Sequence, residues 1–164
     1  MQIGEQLHKC VYTIGHSSHT SDEFVNLLQR RGVRAVVDVR SAPYSKYTPQ
    51  FNKAELEWTL TQAGIQYRYS GQHLGGLPAD KALYTPSGSP DYEKIAALPE
   101  FQSELAELVR VAGDDDTAIM CSEGDPMVCH RERLLARVLR SWGVEVIHIT
   151  PDGELQRQEQ GTLF

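Results

Sequence analysis

Thr117 to Leu135 reads T-A-I-M-C-S-E-G-D-P-M-V-C-H-R-E-R-L-L. Its first five residues are a short apolar run, the signature of a strand buried on both faces. Gly124, Asp125 and Pro126 then break the pattern. An amphipathic run follows and predicts a helix, with Asp125 as cap and Pro126 as its first residue. Strand, tight loop and helix is the repeating unit of an α/β fold. This junction concentrates reactive side chains: Cys121, Glu123, Asp125, Cys129, His130 and Arg131.

The unit repeats to either side. Cys10 to His16 reads as a first strand, and Thr20 with Glu23 three residues later forms a capping box opening a helix that ends at Gly32. Val33 to Val39 is a second apolar strand. Ser41 to Phe51 is a loop with two prolines and two tyrosines. Asn52 is placed to cap a helix carrying Leu56 and Leu60, and Ile65 to Tyr69 is a third strand. Gly71 to Ser89 reads as an irregular excursion, of a length that in compact domains is usually functional or disordered. Ser89-Pro90 predicts a short helix start, and Pro99 opens a second run with Phe101, Leu105 and Leu108 on one face. Val144 to Ile149 is a fifth strand.

These elements predict one three-layer α/β domain over residues 10–150, with a mostly parallel five-stranded sheet and helices on both faces. Residues 1–9 and 152–164 are expected to be terminal extensions. In such sheets ligands sit beyond the carboxyl ends of the strands. The candidate residues fall there: Gly15, His16 and Ser17 after the first strand, Asp38, Arg40 and Ser41 after the second, and Cys121 and Glu123 after the fourth.

The 164 residues suit one domain with a full core, at 40% apolar composition. A net charge of −6 leaves a nucleic-acid partner open but does not favour one. No apolar run reaches the roughly 18 residues of a membrane span. Met1 to Lys9 lacks the apolar core of a signal peptide. Three cysteines without such a signal suggest reduced thiols in a cytoplasm. No disulfide is expected. The sequence specifies neither cofactor nor oligomeric state.

Four ordered motifs carry a family likeness: T-I-G-H-S at 13–17, D-V-R-S-A-P-Y-S-K at 38–46, Tyr69 with Leu74-Gly75-Gly76, and C-S-E-G-D-P-M-V-C-H-R at 121–131, closed by V-I-H-I at 146–149. The chain resembles the domain-of-unknown-function family 488 over roughly residues 10–150. The resemblance implies a fold and a pocket, and no reaction. Lys46 stands where that family more often shows arginine, which keeps the charge and loses a bidentate fork.

Three functions follow from the junction. In the first, a small enzyme acts on an anionic or nucleotide-like ligand. His130 and Glu123 do acid–base work there, Arg40 and Arg131 hold charge, and Gly15, His16, Ser17, Asp38 and Ser41 line the site. In the second, the same pocket binds a nucleotide or single-stranded nucleic acid without chemistry, through Arg40, Lys46 and the loop tyrosines. In the third, Cys121 supports a thiol- or metal-dependent activity. The strand–Cys–loop–helix unit is similar to that of rhodaneses and cysteine phosphatases, but the arginine those enzymes need six positions on is Met127 here. Cys121, Cys129 and His130 could ligate a metal, yet no C-x-x-C or H-E-x-x-H spacing is present. Adjacent Cys129 and His130 would also point about 100° apart on a helix. Arg131 has a plainer alternative role, pairing with Asp38 or Glu123 to tie the loop down.

Overall fold

A computed structural model describes residues 9–157. The expectations for residues 1–8 and 158–164 lie outside the described residues. The chain forms one sheet with helices on both faces. Its strands are β1 (Cys10–Gly15), β2 (Ala35–Asp38), β3 (Gln66–Tyr69), β4 (Thr117–Cys121), β5 (Glu145–Ile149) and β6 (Leu155–Gln156), in the spatial order β3-β2-β4-β1-β5-β6. All pairings among the first five are parallel, and β6 adds antiparallel to β5. Among the described residues the sheet therefore has six strands, one more than the sequence suggested. A two-residue strand is too short to show period-two alternation, so Leu155 and Gln156 read as tail.

Helices α1 (Ser21–Arg30) and α2 (Lys53–Gln62) cover one face; α4 (Tyr92–Ala96), α5 (Pro99–Ala112) and α6 (Arg137–Ser141) cover the other. The short α3 (Gly71–Leu74) lies in the excursion after β3. The strands split their side chains by parity. Ala118 and Met120 of β4 join Phe24, Leu28, Leu56 and Leu60, while Ile119 and Cys121 join Phe101, Leu105, Leu108 and Leu134. Both sides of β2 and β4 are buried, which explains their unbroken apolar runs. Among the described residues no helix is long and apolar enough to cross a membrane.

The capping box forms as expected, the Glu23 amide donating to Thr20 Oγ1 at 3.1 Å. Two other caps differ. The Asn52 carboxamide oxygen turns away from α2 and accepts from the Ser45 amide at 2.7 Å, stapling the 41–51 loop. Asp91, not Ser89, caps α4 by accepting from the Lys94 amide. The largest departure is at the central junction. No continuous helix starts at Pro126. Asp125 does cap the Met127 amide at 2.9 Å, but the turn closes after Val128, Cys129 is extended, and a π-helical stretch runs from Arg131 to Ala136 before α6. π-helical turns are rare and recur at functional sites.

Candidate functional site: a thiol pair at the carboxyl edge

Gly15 lies opposite Cys121 in the β1–β4 register, at the carboxyl ends of both strands. Beyond them the chain doubles back so closely that a Cβ on Gly15 would sit 1.6 Å from the Glu123 carbonyl oxygen. Only glycine admits that approach. The amides of His16 and Ser17 then donate to the carbonyls of Cys121 and Ser122, each at 2.9 Å. The 121–124 loop is thus fixed to the end of β1 by backbone.

Arg131 completes the anchoring from below. It is 0% exposed, and its Nη2 donates to the carbonyls of Glu123 (2.6 Å) and Gly124 (3.3 Å) while Nη1 donates to Thr13 Oγ1 (3.1 Å). Arginine has no acceptor. Thr13 Oγ1 is also hydrogen-bonded to His148 Nδ1, and His148 Nε2 to the Glu132 carboxylate at 2.7 Å. Arg140 grips the same carboxylate with two N–H groups, at 2.6 and 2.9 Å. Burial would raise the Glu132 pKa, but the bonds from His148 and Arg140 outweigh it and hold the group below its ordinary value.

With the loop fixed, the turn at 126–128 returns Cys129 to Cys121. Their sulfur atoms lie 2.7 Å apart, both thiols free and at most 5% exposed. His130 lies beside them. Its Nε2 donates to the Val39 carbonyl at 3.2 Å, so Nδ1 is the nitrogen that faces Cys129 Sγ, at 3.6 Å. On a helix these neighbours would diverge. Here Cys129 is extended at φ −119° and ψ 154°, and the two side chains meet. Gly76 backs the imidazole, since a Cβ there would lie 2.9 Å from His130 Cγ.

The two thiols are electrostatically unlike. Cys129 is held far below the usual thiol range, first by the hydrogen bond from Cys121, with His130 and the Arg131 amide (3.5 Å) adding to it against burial. Cys121 is pushed up, first by burial and then by its bond to Cys129. Cys129 is thus the more acidic of the two sulfurs, and Cys121 Sγ also lies 3.8 Å from the Glu123 carbonyl oxygen.

A cleft of about 270 Å³ opens above the pair, lined by Arg40, Ser41, Gly76, Leu77, Tyr92, Ser122, Glu123, Val128 and His130 with both cysteines. Arg40, Ser41, Cys121, Glu123 and His130 thus come together from distant parts of the sequence. Gly15, His16, Ser17, Asp38 and Arg131 do not line the cleft. His16 stacks on Phe51 with ring centroids 4.5 Å apart, and burial lowers its pKa. Asp38 is 0% exposed and already bound by the Arg40 amide, Arg40 Nε and Nη2, and the Tyr67 hydroxyl. Arg40 therefore keeps three of its five guanidinium N–H donors, two on Nη1 and one on Nη2. The Arg131 guanidinium holds backbone carbonyls rather than the carboxylates of Asp38 or Glu123. The Glu123 carboxylate stands exposed at the mouth with no hydrogen-bond partner among the described residues.

Sequence reasoning gave the nucleophile's part to Cys121, weighed Cys129 only as a possible metal ligand, and read Gly76 only as part of the L-G-G stretch. The usable signal was the loop itself. Gly124, Asp125 and Pro126 between two cysteines can fold the second thiol back onto the first.

Fold and site define an α/β domain with a buried pair of cysteine thiols below a cleft at the carboxyl edge of its sheet. The chain belongs to the family described as Domain of unknown function DUF488, whose model matches residues 20–139. No curated protein matches it. Among solved structures, the chain aligns at 13% identity and a TM-score of 0.49 with Pasteurella multocida toxin, reported to have a thiol-protease-like catalytic triad in its C-terminal region. The alignment covers 99% of this chain and 26% of that one.

Proposed function

We propose that this protein is a dithiol enzyme that exchanges electrons with a disulfide substrate, with Cys129 as attacking thiolate and Cys121 as resolving thiol. The observation that carries the reading is the 2.7 Å approach of the two sulfurs beside His130. A hydrolytic cysteine needs a base and has no use for a second thiol in contact. A disulfide-exchanging one needs that second thiol.

In the forward step the Cys129 thiolate attacks one sulfur of R–S–S–R. A Cys129–S–S–R bond forms and one R–S⁻ leaves. Cys121 then gives its proton to the departing thiolate and attacks the Cys129 sulfur. A Cys121–Cys129 disulfide forms and the second R–S⁻ leaves. The substrate gains two electrons and the protein loses two; a thiol or dithiol reductant restores the pair.

Arg131 is buried among internal bonds and Arg40 is tied by two of its donors to Asp38, which weakens the anionic-ligand hypothesis. The dithiol reading keeps His130 beside the attacking sulfur and leaves Glu123 as a rim charge.

The test is mass spectrometry of the reduced protein after exposure to hydroxyethyl disulfide, a small neutral disulfide. The wild type should lose two hydrogens, with the link mapped to Cys121–Cys129. Cys121→Ser should stop at a mixed disulfide on Cys129, and Cys129→Ser should remain unmodified at Cys121. No internal disulfide in the wild type, or an adduct forming on Cys121 in Cys129→Ser at the wild-type rate, would overturn the reading.

A further inference from the structure

A second depression, of about 190 Å³, lies on the surface beside the thiol cleft. It is lined by Tyr92, Glu93, Ala96, Arg133, Leu134, Arg137, Val138 and Ser141. Tyr92 lines both depressions, so they meet at one side chain. Its hydroxyl is raised first by burial, with Cys129 raising it further and Arg133 lowering it, so charges on both sides reach it.

Arg133 and Arg137 are both exposed and lie four residues apart along the segment that begins just after the thiol pair. Arg133 uses only Nε, donating to the Met127 carbonyl at 3.0 Å. Arg137 has no hydrogen bond or ion pair among the described residues. Glu93 is the one carboxylate lining the depression, and it pairs with neither arginine. Two guanidinium groups against one carboxylate leave a local surplus of positive charge on a chain of net charge −6. Every other described arginine of this layer is engaged: Arg131 by carbonyls, Arg140 by Glu132, Arg110 by Glu107. The floor, formed by Ala96, Leu134 and Val138, is apolar.

We propose that Arg133 and Arg137 are specificity residues that receive the carboxylates of an anionic low-molecular-weight disulfide while its sulfurs enter the cleft past Tyr92. The proposal rests on the dithiol reading above and adds the substrate's charge class. The cleft alone admits little more than a disulfide and its immediate substituents, so any longer substrate must extend over a neighbouring surface. Guanidinium forks match carboxylates in geometry as well as charge. A cationic disulfide would meet both arginines, with only Glu93 to receive it.

The experiment compares three probes against the reduced full-length protein: oxidised glutathione (anionic), hydroxyethyl disulfide (neutral) and cystamine (cationic). Stopped-flow rates of Cys121–Cys129 oxidation should fall in that order. Arg133→Gln/Arg137→Gln should lower the rate with oxidised glutathione about five-fold or more, as expected for two partly exposed contacts, and leave hydroxyethyl disulfide unchanged. Arg137→Glu alone, which disturbs no bond in the structure, should act in the same direction, and Glu93→Gln in the opposite one. Added salt should erase the preference. A wild type that prefers cystamine, or arginine variants with an unchanged glutathione-to-hydroxyethyl rate ratio, would overturn the proposal and leave the dithiol reading intact. A wild type that none of the three probes oxidises would overturn both.

Discussion

Residues 129–130 and residues 131–132 are neighbours in sequence and opposites in chemistry. Arg131 and Glu132 face the sheet and are bonded to Thr13, to His148, to Arg140 and to two loop carbonyls, with Arg131 Nε buried and without a partner. Cys129 and His130 face the cleft and retain capacity to react. The division follows from solvation. A buried guanidinium or carboxylate is tolerated only if its bonding positions are filled, and filled positions leave no room for a ligand. The anchoring half also creates the reactive half, because Arg131 holds the carbonyls of 123–124 that carry Cys121 against Cys129. One half should therefore respond to mutation in stability, the other in reactivity.

The largest effect is expected at Cys129. Cys129→Ser should reduce disulfide exchange by roughly 10³-fold or more, as removal of a nucleophile does, with a nearly unchanged urea midpoint. A comparable loss from Cys121→Ser in the first, mixed-disulfide step would reverse the roles of the two thiols. In the anchoring half, Arg131→Met leaves two carbonyls and the Thr13 hydroxyl short of a donor. It should cost about 2–4 kcal/mol by denaturant unfolding; a change within experimental error would mean water replaces the guanidinium without loss.

Glu132 makes the anchor sensitive to acid. Its folded pKa is depressed, so its contribution is fully present above its unfolded value of about 4.3 and is lost as pH falls through the lower folded value. Wild-type stability should fall on acidification through that window, and Glu132→Gln should be less stable at neutral pH and flatter with pH. Urea melts across the acid range measure both slopes. The smallest change is expected from Gly76→Ala. Its new Cβ would press on the His130 ring, which should displace Nδ1 and slow exchange about ten-fold, with little change in melting temperature. Equal rates for this variant and the wild type would remove His130 from the chemistry.

The fold was legible because both layers impose simple patterns. Unbroken apolar runs mark β2 and β4, and Thr20 with Glu23 marks the start of α1. The family motifs marked the same carboxyl edge. Side-chain roles there were less legible. Asp38, Arg40 and Arg131 look like ligand-binding groups in sequence because it does not show which charges find each other in the fold. The π-helical stretch was hidden as well: it preserves the apolar spacing of Leu134, Leu135 and Leu139 while changing which residues face the sheet. That shift points Arg131 inward and leaves Cys129 extended beside Cys121.

Of the two thiols in contact, Cys129 is the more acidic and Cys121 the less. Rates of iodoacetamide alkylation, followed from acid to neutral pH and assigned to individual cysteines by peptide mapping, measure this directly. Cys129 should react as a thiolate well below the usual thiol pKa of about 8.5. Cys121 should remain protected, and so should Cys10, whose thiol burial and Glu145 push up to about 11. Labelling that favours Cys121, or a Cys129 rate that falls away below pH 8.5 as an ordinary thiol's does, would contradict the account.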